Sequence, residues 1–509
     1  MIIVVDFGSQ VAHLISRRIR ELRVYSELVP PSIGPKEIQE LNPCGIILSG
    51  GPSSVYASSA PQINPEIFEL DIPTLGICYG HQLIAKELGG TVSKGKGEYG
   101  ETLISIQPLD SELLKRYASK ESQEIVWMSH SDFVETLPPG FQTTSISENN
   151  YISSMENPSR SIYTLQFHPE VAHTPNGMQI LDNFLTLTGC KRDWNLEDFI
   201  NEKVQEIRLV VGDAKVLMGV SGGVDSTVAA ELIRKAIGPQ LYCVFLDNGL
   251  LRMNEFEEVC AFFDQSDYNF YAYNVSNIFL SRLTDICDPE EKRRIIGNTF
   301  IEVFEEKAKL LGNFDFLGQG TIYPDRIESA QPSSRASVIK THHNVGGLPE
   351  KMALDLLEPL KDLYKDEVRR IGKLLKIPND LIGRHPFPGP GLAVRVVGEI
   401  TKDRLQIVRE SDQILVEELK KAGFYSGLWQ SFTAFLGIKT VGVMGDARSY
   451  QYPVVIRAVE STDGMTANTA DISVNTLKKI ASRITNEVDG VNRVFFDLTD
   501  KPPATIEYE

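Results

Sequence analysis

Cys78 lies in the stretch LGICYGHQ (Leu75–Gln82), between a short apolar run and the start of a helical pattern. A strand that turns sharply into a helix presents the turn residue at the carboxyl edge of its sheet, beside the positive end of the helix dipole. A thiol in such a place is favoured as thiolate, the form that attacks an amide carbonyl. That attack needs a base within reach of sulfur and a third group to orient the base. Downstream, LQFHPE sets His168 and Glu170 two residues apart in an extended segment, so their side chains point the same way. The oxyanion formed on attack needs two aimed N–H donors. Tyr79, next after the thiol, is one candidate; the other is a glycine of LSGGP, Gly50 or Gly51, with Gly51 taken as the site residue.

A second constellation is SGGVDST, Ser221–Thr227, between the predicted strand KVLMGV and a predicted helix running to Ile237, ended by Gly238 and Pro239. Amides of Gly222, Gly223 and Val224 and the helix N-terminus face one point there, which suits an anion. Ser221, Ser226 and Thr227 add hydroxyls, and Asp225 can hold a cation, provisionally magnesium, that offsets phosphate charge. The lysine and the spacing of a Walker A loop are missing. Asp247, in FLDNGLLR after the next strand, stands at a carboxyl edge, where α/β sheets take ligands.

These residues need sheets to hold them. From Met1 to about Gly189, short apolar runs alternate with amphipathic stretches, the pattern of an α/β domain with a mainly parallel sheet. A polar linker is expected near Cys190–Asn195, followed by a helix carrying Leu196, Phe199, Ile200, Val204 and Ile207. A second doubly wound α/β domain follows. Asp325–Met352 is polar and without period, as a lid would be. Beyond RHPFPGPGLAVRV the sequence predicts a smaller α+β unit, with a helix over Thr401–Lys421 and strands near Lys439–Met444 and Tyr452–Val459. In that stretch Pro386, Pro388 and Pro390 stiffen the backbone, while Gly389 and Gly391 allow close approach.

The 509 residues suffice for two to four domains, and the net charge of -17 disfavours nucleic acid or an anionic membrane as partner. MIIVVDFGSQ reads as a buried strand rather than a signal peptide or membrane span. Six cysteines without a CxxC pair suggest neither a disulfide framework nor a zinc site, and a reducing cytoplasm fits them best.

SGGP, GICYGHQ and FHPE, in that order, resemble a class I glutamine amidotransferase domain over about the first 190 residues. The resemblance implies Cys78 as nucleophile, His168 as general base and Glu170 as its orienter. It also implies that Gln82 and the MSHSD loop, Ser129–Asp132 with His130, lie near bound glutamine. SGGVDS is similar to the pyrophosphate loop of ATP pyrophosphatases, which cleave ATP between the α and β phosphates to make an adenylate. In that family FLDNGLLR, Phe245–Arg252 with Asp247, would lie near the adenosine, and IKTHHNVGGLP would be a lid whose Lys340 touches phosphate.

RHPFPGPGLAVRV and DKPPATIEYE together resemble the glutamine-hydrolysing GMP synthetases, across essentially the full chain. This implies glutamine-dependent amination of xanthosine monophosphate (XMP) through an adenylyl intermediate, with ATP as co-substrate and magnesium. Arg395, Lys501, Ile506 and Glu507 would bind XMP. It further implies domains at 1–190, 195–385 and 386–509, the last building the nucleotide site and a homodimer interface. Another ATP pyrophosphatase, or a silent nucleotide-binding scaffold, remains the alternative. XMP-dependent release of AMP separates them.

Overall fold

The computed structural model describes residues 1–9, 11–107, 111–115, 123–264, 269–330, 354–444, 447–461 and 466–509. The chain divides into two compact units, Met1–Asn195 and Leu196–Glu509.

The first unit is built on a nine-stranded sheet. Ser26–Val29, Ile2–Val5, Gly45–Leu48, Thr74–Ile77 and Ile162–Leu165 run parallel in that spatial order. All but Ser26–Val29 are buried at every position, as expected of parallel strands covered on both faces. The sheet then continues antiparallel through Ile152–Asn157, Gln142–Ser147, Thr91–Ile106 and Gln123–Thr136. Its carboxyl edge thus gathers the chain after Leu48, after Ile77 and after Leu165, the three points at which SGGP, Cys78 and FHPE stand.

Cys44 and Cys190 form a disulfide with a Cα separation of 5.7 Å. The cysteine pattern in the sequence had suggested no disulfide framework. The two are 146 residues apart in sequence, and only the sheet brings the lead into Gly45–Leu48 beside the chain following the helix Gly177–Leu187. Cys78, Cys243, Cys260 and Cys287 are free.

The second unit opens with the helix Leu196–Val211 and holds a parallel sheet ordered Asn269–Asn274, Leu241–Asp247, Val216–Val220, Phe316–Gly318, Asp355–Leu357. Chain order reverses on either side of Val216–Val220, so the loop after that strand opens at the switch point where such sheets bind ligands. A second sheet is mostly antiparallel: Ala447–Glu460 pairs with Gln430–Phe435, Thr440–Met444, Asn468–Thr469 and, in parallel, Val491–Phe496. The helix Lys402–Lys421, capped by the Thr401 side chain, and the helix Val474–Glu487 accompany it.

The expected boundary at 385/386 falls inside this unit. One apolar cluster runs from Leu217, Val244 and Phe304 through Leu392 and Val396 to Leu415, Ile456 and Val491, so both stretches share a core.

Candidate active sites

Cys78 ends the strand Thr74–Ile77 and caps the helix Tyr79–Glu87 with φ 54° and ψ -102°, a left-handed backbone that a non-glycine residue rarely adopts. Its N–H donates to Leu165 O at 2.7 Å, tying the turn to the strand that leads to His168. The turn also needs Gly80: a Cβ there would lie 2.5 Å from Leu48 O, so only glycine lets the helix start this close to the neighbouring strand. The thiol donates to Ser129 O at 3.6 Å and is 5% exposed.

His168, 7% exposed, donates from Nδ1 to Glu170 Oε1 at 2.7 Å, and Glu170 is buried. Its backbone is fixed by Trp127 O, which accepts its N–H, and by Thr174, whose hydroxyl donates to its carbonyl. Burial disfavours the imidazolium, but Glu170 and the sulfur of Cys78 outweigh burial and hold the His168 pKa well above the usual histidine value. Gly50 marks how close the parts are: a Cβ built on it would lie 3.1 Å from His168 Cε1 and 3.6 Å from Cys78 Cβ. Gly51 instead backs onto Phe7 O and the Tyr79 ring.

The MSHSD stretch belongs to the strand Gln123–Thr136, where Ser129 and Ser131 are exposed and His130 and Asp132 buried. His130 is engaged within the protein at both ring nitrogens, with Asp132 O at 2.8 Å and Glu98 Oε2 at 3.0 Å. Gln82 donates to Asp132 O and Gln166 Oε1 at 2.7 and 3.0 Å. These two residues therefore brace the wall of the thiol site. Glu98, which also accepts from Asn149 at 2.8 Å, completes that brace and had no sequence signal.

In the second unit SGGVDST joins the strand Val216–Val220 to the helix Val224–Ile237. Ser221 Oγ accepts from Gly223 N–H at 3.3 Å and meets Ser226 Oγ at 3.1 Å, holding the loop open. Thr227 differs from the expectation of a ligand hydroxyl: it is buried and donates back to Gly223 O at 2.8 Å. Asp225 Oδ2 accepts from Lys365 at 2.5 Å, and its buried Oδ1 has no partner among the described residues. Asp247 ends its strand, accepting from Gly249 N–H at 2.9 Å and Asn274 at 2.7 Å. Lys340 lies outside the described residues.

The proline-rich stretch closes on this loop. Gly391, at φ 61°, packs so tightly that a Cβ would lie 2.5 Å from Leu250 O, so its close approach is to the FLDNGLLR backbone. Arg252 stacks its guanidinium 4.2 Å from the Phe387 ring centre and donates to His385 O at 3.1 Å. Arg395 lies between Phe387 and Phe432, 5.0 and 4.3 Å from their centres, and grips Glu507 with two hydrogen bonds of 3.2 and 3.1 Å. Its Nη1 is buried without a partner among the described residues. Gln430 donates to Glu507 Oε1 and to Pro386 O. Ile506 packs with Phe432, Ala434 and Val455, while Lys501 is placed by a backbone bridge to Ala467. The structure thus joins Arg395, Glu507 and the prolines with Arg252 of FLDNGLLR, and adds Gln430 and Lys365, which the sequence reading missed.

The two units are of the glutamine amidotransferase kind and of the kind found in ATP pyrophosphatases, as the family matches show. Residues 3–187 match the family described as glutamine amidotransferase class-I, 194–299 the NAD synthase family, and 417–508 the GMP synthase C-terminal domain. Curated relatives named GMP synthase [glutamine-hydrolyzing] are 51% identical in Natranaerobius thermophilus, 52% in Symbiobacterium thermophilum and 50% in Brachyspira hyodysenteriae, each over 100% of this chain and 99% of the relative. The chain belongs to the family of glutamine-hydrolysing GMP synthases.

Proposed function

We propose that this chain aminates XMP to GMP, drawing ammonia from glutamine at Cys78, His168 and Glu170 and energy from ATP cleaved to AMP and pyrophosphate. One observation carries the donor half: a buried imidazole held between the Glu170 carboxylate and the Cys78 sulfur, with its pKa raised. Such a histidine is placed to accept the thiol proton as sulfur attacks. The thiolate attacks the glutamine side-chain carbonyl, His168 gives its proton to the departing ammonia, and water clears the thioester to glutamate. Tyr79 and Gly50 or Gly51 supply N–H groups to the oxyanion, and Ser129, His130 and Gln82 shape the glutamine wall.

In the second unit Ser221, Gly222, Gly223, Val224 and Ser226 cradle the pyrophosphate of ATP, with Asp247 at the adenosine side. Asp225 fits a magnesium ion, because one of its oxygens is unpartnered and magnesium is commonly held by one carboxylate together with substrate phosphates. Magnesium bound there would offset phosphate charge. Arg395 and Glu507 receive XMP, supported by the spare Nη1 donor of Arg395, with Lys501 and Ile506 on the same segment. The XMP oxygen on carbon 2 attacks the α-phosphorus, and ammonia then displaces AMP.

The sheet around Thr440–Met444 leaves Val441, Val443, Tyr450 and Phe495 exposed, which supports a homodimer through residues 386–509. Among the described residues no helix is long and apolar enough to cross a membrane, and ATP and XMP are metabolites of the cytoplasm, where we place the protein. Amide-labelled glutamine tests the whole reading: the label is expected in the exocyclic amine of GMP, and its absence there under turnover refutes the transfer.

A further inference from the structure

Glu509, two residues beyond Glu507, is held from four directions. Its N–H donates to Val394 O at 3.1 Å, and its Oε1 accepts from Gly398 N–H at 3.1 Å. Its Oε2 is paired with the ammonium of Lys292, and its backbone oxygen accepts from the Arg293 guanidinium. Lys292 comes from the helix Pro289–Leu311, and its side chain is 0% exposed. The same ammonium donates to Val396 O at 2.8 Å, one residue past Arg395.

A buried ammonium is unfavourable unless paired, and replacing such a pair by apolar groups of similar size is often neutral or better for stability. A contribution to stability alone therefore does not account for it. Its placement suggests another purpose, because Lys292 joins the two segments that carry the Arg395–Glu507 pair: it grips the carbonyl next to Arg395 and the side chain two beyond Glu507. Ile506 and Tyr508 fix the other side of the segment, Ile506 against Phe432, Ala434 and Val455, and Tyr508 through its hydroxyl to Asp497 at 3.0 Å. A shift of the segment by one residue would break both charge pairs together.

We propose that Lys292 is a positioning residue for XMP: through Glu509 and Val396 it sets Glu507 opposite Arg395, in the geometry the nucleotide requires. This rests on the reading of Arg395 and Glu507 as XMP residues. In Lys292→Met of the full chain, KM for XMP is expected to rise tenfold or more, while kcat at saturating XMP stays within threefold and KM for glutamine is unchanged. Glu509→Gln is expected to raise it as well, and the double variant to raise it no further than Lys292→Met, since the Lys292–Glu509 pair is lost in all three.

Circular dichroism melts establish that the variants fold. If Lys292→Met does not fold, Glu509→Gln carries the test, because it removes the charge pair and keeps the side chain's size. An XMP KM within twofold of the parent, or a fall in kcat with KM unmoved, overturns the proposal. Arg395→Lys separates the two layers of inference. A raised XMP KM in Arg395→Lys but not in the Lys292 and Glu509 variants refutes only the positioning role, whereas no rise in any of them refutes the XMP-site reading as well.

Discussion

The thiol site and the nucleotide site are assembled in opposite ways. At the thiol site the reacting groups sit directly after three neighbouring parallel strands, Gly45–Leu48, Thr74–Ile77 and Ile162–Leu165, and the sheet register alone brings them together. At the nucleotide site, the binding segments are held by long basic side chains from far away in sequence: Arg384 to Gly222 across 162 residues, Arg409 to Leu251 across 158 and Lys365 to Asp225 across 140. Covalent chemistry at sulfur demands fixed distances between a few atoms, which adjacent strand ends supply. A site that receives two nucleotides must instead surround large ligands, and here loops clamped by arginines and lysines perform that task.

The contrast can be broken by experiment. Cys78→Ala is expected to lower glutamine-driven synthesis by about 10⁴-fold or more, leaving synthesis from added ammonium intact. Loss with both donors would mean that the two sites do not work separately. Glu170→Gln is expected to lower glutaminase kcat by about 10²-fold. Because Glu170 helps raise the His168 pKa, its removal lowers that pKa, so the imidazolium is lost at a lower pH as pH rises. The alkaline limb of the glutaminase profile therefore moves acidward, and an unmoved limb would deny Glu170 its part.

Arg395→Lys gives up a bidentate, charge-assisted contact, and the KM for XMP is expected to rise about 10- to 100-fold with glutamine or ammonium alike. A change seen with only one donor would tie Arg395 to ammonia transfer instead. The smallest effect on catalysis is expected from Cys44→Ser. Denatured, unreduced parent protein should show four reactive thiols and, on reduction, six. The variant should unfold more easily than the oxidised parent by about 2–5 kcal/mol, with unchanged kcat. Six thiols without reductant would mean that the bond does not form in solution.

The same difference in assembly set what the sequence could disclose. Cys78, His168 and Glu170 were legible because strand ends, a helix start and two-residue spacing are local patterns, and SGGVDST was legible for the same reason. Lys365 and Gln430 were not, since nothing near them in sequence marks a partner that only folding delivers. The internal bond of Thr227 was not legible, because a hydroxyl in the first turn of a helix can bond back to the chain as readily as to a ligand. The Cys44–Cys190 bond has no local mark either. That the segments on either side of 385/386 share one apolar cluster was not legible either, because apolar spacing does not say which faces meet.

The backbone at Cys78 has a consequence for inheritance as well as for chemistry. At φ 54° the main chain is at ease only with glycine, and holding a side chain there opposes folding by about 1–3 kcal/mol. Drift toward glycine at this position would steady the domain and silence it in one step. A lineage that stopped needing glutamine as its nitrogen source would thus find disarmament easy.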